Sequence, residues 1–242
     1  MNASLATRHR RRLAGIDDTG VIDSRVLPDP EFDCLWESIF VEDELKTWLL
    51  CQGVLNFVVR PKLPQVAIPL HGIVLLVGRP GTGKTTLAKG LASRVADSVT
   101  GMGEFRFIET EPHALAGAAL GRSQKAVREF LDGTVAEAAA MGPLIVLLDE
   151  VETLAADRQK LSLEANPVDV HRVSDAVLAQ LDHLASGHPN VLFIATSNFP
   201  QAIDEAFLSR AICVLTLVCQ AKKRVKQSRG THSQSWPKGF LA

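Results

Sequence analysis

The sequence predicts an α/β fold, a parallel sheet covered by helices, and three observations carry that expectation. Continuous runs of β-branched residues and leucine recur at 73–77, 144–148 and 191–196, as in strands buried on both faces. Segments with apolar residues at helical spacing separate these runs. A glycine-rich loop joins the first run to the helix that follows it, and strands alternating with helices imply parallel pairing.

The elements follow in chain order. Residues 1–30 are polar and basic, end in the breaker Pro28-Asp29-Pro30, and are expected to form a basic flexible arm. Residues 31–71 hold apolar positions at helical spacing (Leu45, Trp48, Leu49, Leu55), then the punctuating Pro61, Pro64 and Pro69, so a helical segment and a linker are expected. The α/β core is expected over 72–218. It has strands at 73–77, 105–109, 144–148, 191–196 and 212–218, and helices at 85–95, 123–140 and 169–184. In the last of these helices Val173, Val177, Leu178, Leu181 and Leu184 share one face. Residues 219–242 lack helical periodicity and are expected to be a basic, disordered tail.

Composition narrows the classes. Of 242 residues, 46% are hydrophobic and 22% charged, which suits one sizeable core. A net charge of -1 makes neither nucleic acid nor membrane the default partner. The ends are basic, with Arg8, Arg10, Arg11 and Arg12 at one and Lys222, Lys223, Arg224, Lys226, Arg229 and Lys238 at the other, and solvated tails are the expectation there. Cys34, Cys51, Cys213 and Cys219 form no zinc-like spacing and are expected to be reduced thiols in a cytoplasmic protein. No stretch reaches the ~20 apolar residues of a membrane helix.

The chemistry is concentrated in four places. Gly78-Arg79-Pro80-Gly81-Thr82-Gly83-Lys84-Thr85, continued by Thr86, satisfies G-x-x-x-x-G-K-[ST]. Glycine lets backbone N–H groups wrap a triphosphate, and the following helix aims its positive end at the same anion. Lys84 supplies a point charge for the outer phosphates, and the Thr85 hydroxyl a ligand for Mg²⁺. The second place is Asp149-Glu150, at the end of a buried strand, where two adjacent acids are costly without a cation or water network. There Asp149 holds Mg²⁺ and Glu150 polarises the attacking water, whereas Glu152 reads as a helix-start acid. The third is Asn198, which closes Ala195-Thr196-Ser197-Asn198 at the carboxyl end of a strand and can orient that water. The fourth is Arg210, after Ile203-Asp204-Glu205-Ala206-Phe207-Leu208-Ser209: either an arginine finger for a neighbouring subunit or a surface arginine.

In this order the four elements resemble the AAA+ ATPases. Phe32-Asp-Cys-Leu-Trp36-Glu-Ser-Ile39, Leu148-Asp-Glu-Val-Glu-Thr-Leu154, Asn166-Pro-Val-Asp169 with Arg172, and Thr196-Ser-Asn-Phe199 leading to Phe207 resemble the pachytene-checkpoint family, in its bacterial form. The resemblance spans about Leu27 to Ala211. It implies a homo-hexamer that uses ATP and Mg²⁺ to remodel HORMA-domain proteins, in bacteria within anti-phage defence. It also implies phosphate binding by the loop, γ-phosphate sensing by Asn198 and the finger role for Arg210, although Ser209 stands where an acid is expected. Arg79 replaces the usual proline and is expected to point outward. The family's substrate-gripping pore loop maps onto Ala119 and Leu120, where eukaryotic relatives carry an aromatic pair, so Leu120 becomes the expected paddle. Phe40 and Val41 are expected to wall the adenine side. After Ala211 the family continues into a helical lid, which this sequence does not match, and a truncated, weakly active product is expected. An AAA+ enzyme with another client, such as a DNA-linked one, and a non-catalytic nucleotide-binding module are the competing expectations.

Overall fold

The computed structural model describes residues 20–63, 70–110, 127–153, 167–199, 201 and 203–218, and gives the backbone alone at 153 and 167–176. The element order is β1 (Val21–Leu27), α1 (Pro30–Ser38), α2 (Asp43–Val58), a 3₁₀ turn (Arg60–Lys62), β2 (Ile73–Gly78), α3 (Lys84–Ser98) and β3 (Phe105–Thr110). Then come α4, a π-helical Glu129–Val135 running into α-helical Ala136–Ala140, β4 (Leu144–Leu148), a 3₁₀ turn (Val151–Thr153), α5 (Pro167–Gly187), β5 (Val191–Ser197), α6 (Glu205–Leu208) and β6 (Ala211–Leu217).

The six strands form one sheet in the order β1-β3-β4-β5-β2-β6. All neighbours are parallel except β1 and β3, which run antiparallel. The sheet is therefore mixed rather than wholly parallel. The additional strand lies where a flexible arm was expected, in the last part of residues 1–30. Asp23, Ser24 and Arg25 broke the apolar run that would have announced it. The strand accommodates them by pairing: buried Arg25 meets Asp23, Asp29 at 3.2 Å and Glu31 at 3.1 Å, with its guanidinium 4.3 Å from the centre of the Phe32 ring.

Strand periodicity divides the core in two. Ile73, Leu75 and Val77 of β2, with Val146 and Leu148 of β4, face α4, α5 and α6. Val74, Leu76, Ile145 and Leu147 face α1, α2 and α3. The expected helical segment over 31–71 thus shares a core with the sheet. Asp29 starts α1 as its N-cap, its side chain accepting from the N–H groups of Glu31 and Phe32, with Pro30 pre-set for the first turn. The α1 and α3 backbones meet at Gly90, where a Cβ would lie 2.8 Å from the N and Cα of Trp36. Arg60, buried, ties the turn after α2 to the far layer by donating to the carbonyls of Val191 (2.7 Å) and Ala185 (3.0 Å).

The possible strand at 212–218 is present as β6, on the sheet edge beside β2. The basic N-terminal run, Ala119 and Leu120, and the tail 219–242 lie outside the described residues. Among the described residues no helix is long and apolar enough to cross a membrane.

Candidate nucleotide site

The carboxyl ends of β2, β4 and β5 converge because these strands are adjacent and parallel. β2 delivers the glycine-rich loop. Its turn is held by Thr82, whose hydroxyl donates to the Arg79 carbonyl at 2.9 Å and whose N–H donates to it at 3.3 Å. Gly83 then enters α3 with φ +87°, a conformation L side chains rarely adopt, and a Cβ there would also strike Ile39 Cδ1 at 2.7 Å. Ile39 therefore rests directly on the loop. Phe40 is 87% exposed, and Val41 packs against the second core.

Lys84 begins α3 and is buried. Its ammonium donates to the carbonyls of Gly78 (2.9 Å) and Arg79 (3.1 Å) and to Asn198 Oδ1 (2.7 Å), which uses all three of its N–H groups. Burial pushes its pKa below the ordinary value, against the opposing pull of Asp149, Glu152 and Glu150. Thr85 Oγ1 donates to Asp149, at 3.0 Å from Oδ1 and 3.3 Å from Oδ2. Thr196 Oγ1 also donates to Asp149 Oδ1, and accepts the Glu150 N–H at 3.1 Å. Glu150 has a left-handed backbone, φ +51°, uncommon for a residue with a side chain. Its Oε1 accepts from Asn198 Nδ2 at 2.9 Å.

These groups enclose a cavity of ≈ 270 Å³, lined by Pro80, Gly81, Gly83, Lys84, Thr85, Thr86, Asp149, Glu150, Thr196 and Asn198. Gly78 contributes a carbonyl to Lys84, and Arg79 is exposed. Of the residues singled out in the sequence, those of the loop, Asp149, Glu150 and Asn198 are thus brought together. Thr196 and Ile39 joined them without being foreseen. Thr196 has a legible signal: it sits two residues before Asn198, on the same face of the strand. Glu152 is also more than a helix-start acid, since its Oε1 accepts the Asn198 N–H at 3.0 Å.

Arg210 stands apart. β6 pairs with β2 so that Ala211 lies opposite Ile73 and Leu217 opposite Gly78. Arg210 is therefore at the amino end of β2, about 16 Å along the strand from the loop at ~3.3 Å per residue. There it forms a two-pronged pair with Asp182, Nε to Oδ1 and Nη2 to Oδ2 both at 2.7 Å, while Nη1 donates to the Ala206 carbonyl at 2.6 Å. The segment that precedes it is structural: Asp204 caps α6 by accepting the Ala206 N–H at 2.8 Å, and Phe207 is fully buried.

The site fits a magnesium nucleotide. Three carboxylates, Asp149, Glu150 and Glu152, act on the single ammonium of Lys84, leaving negative charge in excess. The donors beside it are hard oxygens of one hydroxyl and one carboxylate, the set that Mg²⁺ takes together with water and phosphate oxygens. No group of three or more His, Cys, Asp or Glu among the described residues forms an all-protein metal cage.

A strand–loop–helix phosphate cradle facing two strand-end acids and a strand-end asparagine defines an ATPase-type P-loop protein. Residues 74–216 match the ATPase family associated with various cellular activities (AAA), and the chain belongs to that family. It is 56% identical over 208 residues to CD-NTase-associated protein 6 of Pseudomonas aeruginosa, covering 86% of this chain and 68% of the relative. It is 38% identical over 190 residues to the pachytene checkpoint protein 2 homolog of Arabidopsis thaliana, covering 77% of this chain. The chain spans 40% of that plant relative and 44% of the Danio rerio homolog. Among solved structures, the fold matches the E. coli MS115-1 HORMA:CdnC:Trip13 complex with a TM-score of 0.71 at 20% identity, over 84% of this chain and 71% of that one. It matches C. elegans PCH-2 with a TM-score of 0.62 at 28% identity, over 81% of this chain and 48% of that one.

Proposed function

We propose that this chain binds and hydrolyses Mg·ATP and that the hydrolysis serves the remodelling of a HORMA-domain protein, in a bacterial anti-phage setting. The observation that carries the catalytic part is the line of hydrogen bonds Lys84–Asn198–Glu150, set beside the Thr85–Asp149 pair at three neighbouring strand ends. The client is inferred from likeness to the pachytene-checkpoint relatives and from the HORMA protein named in the E. coli complex.

Thr85 and Asp149 are the residues that would hold Mg²⁺, which when bound supplies charge neutralisation across the phosphate oxygens. Lys84, already stripped of water, exchanges loop carbonyls and Asn198 for phosphate oxygens. Released from the ammonium, Asn198 still donates to Glu150 and keeps that carboxylate aimed into the cavity as the base that takes the proton of the attacking water. Arg210 cannot serve its own site at this distance. Its place on the opposite end of β2 suits a neighbouring subunit's phosphate in a ring, with Asp182 holding one edge of the guanidinium and leaving N–H groups of Nη1 and Nη2 to spare.

Two variants of the full chain test the proposal. Lys84→Ala is expected to weaken Mg·ATP binding at least tenfold by calorimetry. Glu150→Gln is expected to retain binding, lose hydrolysis about 10²-fold and, with ATP present, elute from a sizing column as a larger assembly. Unchanged affinity in the first variant, or unchanged turnover in the second, overturns the reading.

A further inference from the structure

We infer that Glu152 is a positioning residue for Asn198, fixing the backbone from which that side chain reaches both Lys84 and Glu150. The inference rests on the nucleotide-site reading above and deepens it.

Asn198 is the first residue beyond β5, whose ladder ends at Ser197. Its N–H, no longer part of the sheet, is taken by Glu152 Oε1 at 3.0 Å. The same residue is committed at both ends of its amide, with Oδ1 accepting from the Lys84 ammonium at 2.7 Å and Nδ2 donating to Glu150 at 2.9 Å. That fixes which amide atom faces which neighbour, because an ammonium only donates and a carboxylate only accepts. A small rotation of the 198 backbone would swing the oxygen off Lys84 and the nitrogen off Glu150 together. Glu152 opposes that rotation from the turn Val151–Thr153, which follows Asp149 and Glu150 without a break. One carboxylate therefore links the strand end carrying the base to the strand end carrying the asparagine.

A helix-start acid would be expected to face water. Here the second oxygen, Oε2, is buried without a hydrogen-bond partner among the described residues, an arrangement that costs free energy. A carboxylate held in that way for a single backbone N–H is the mark of a group retained for position.

The test is a double-mutant cycle between Glu152 and Asn198 in the full chain, reading Mg·ATP and Mg·ADP affinities by calorimetry. On the nucleotide-site reading Asn198 senses the outer phosphate, so Glu152→Ala is expected to weaken Mg·ATP about tenfold and leave Mg·ADP within about twofold. Glu152→Gln, which keeps an acceptor oxygen, should remain within about threefold of the parent for both. In an Asn198→Ala background, Glu152→Ala should add no further loss. Additive losses, equal losses for both nucleotides, or a Glu152→Gln as weak as Glu152→Ala would overturn the inference. If Glu152→Ala does not fold, Glu152→Asp, whose carboxylate is one methylene short of the N–H, takes its place in the cycle under the same criteria. Lys84→Ala serves as the control on the site itself: if it leaves Mg·ATP affinity unchanged, the nucleotide reading fails, whatever Glu152 does.

Discussion

His71 shows how a single residue can set a pH response. Its Nε2 lies 2.9 Å from Asp182 Oδ1, a contact that alone would raise the imidazole pKa. Burial outweighs that pull, the Arg210 and Arg60 guanidiniums oppose it, and the pKa falls below the ordinary 6.5. Asp182 is itself held below 3.8, chiefly by its hydrogen bonds to Arg210. Both groups are depressed in the folded state, so the unfolded chain binds more protons. The stability they contribute is present above pH 6.5 for the histidine and begins to fall away below it. The carboxylate's share is lost only as pH drops below 3.8 and through its folded value. Urea midpoints measured from pH 7 to pH 5 should decline in the parent chain and decline less in His71→Gln; equal slopes would refute this. The residue scale was also the most legible in the sequence. The loop, Asp149, Glu150 and Asn198 announced themselves because phosphate and Mg²⁺ chemistry admits few residue types at few spacings. Glu152 did not, because an acid near a helix start is commonplace and only the fold places it under Asn198.

At the scale of elements, the strands that were easiest to read are those buried on both faces, β2, β4 and β5, whose apolar runs have no other explanation. β1 was missed because it carries its polar residues inward and satisfies them with ion pairs, a device that leaves no periodicity. The π-helical stretch Glu129–Val135 was equally silent in the sequence, where the segment reads as an ordinary helix. The contact between α1 and α3 yields a prediction of its own. Gly90→Ala would drive a methyl into the Trp36 backbone, which cannot give way as a side-chain tip could. A loss of about 1–3 kcal/mol in urea unfolding is expected. Removing the cap with Asp29→Ala should cost about 1 kcal/mol by the same measurement, more if the loss of its pair with Arg25 is felt.

At the scale of the whole molecule, the two cores are fastened by Arg60, which reaches from the turn after α2 to the end of α5 and the start of β5. Burial lowers its pKa to about 10, so it stays charged at neutral pH. It binds two main-chain carbonyls and Asn56 Oδ1, the last at 3.2 Å. Arg60→Ala removes these three bonds, although Asn56 Nδ2 still donates to the Val191 carbonyl at 3.1 Å. It should destabilise the chain by about 3 kcal/mol, seen as a lower urea midpoint, whereas a change under about 0.5 kcal/mol would show that water replaces the guanidinium freely. Sheet order explains why function was legible before the complete fold was: the strands that bear the chemistry are central, and the element that escaped notice lies on the edge farthest from them.

The seating of Ile39 on Gly83 has a mechanical consequence. Any displacement of the cradle's last glycine must push on, or let go of, the chain one residue before Phe40, whose ring stands almost wholly in solvent. A side chain added at position 83 would for the same reason be felt first by the short segment that leads from α1 to this exposed ring.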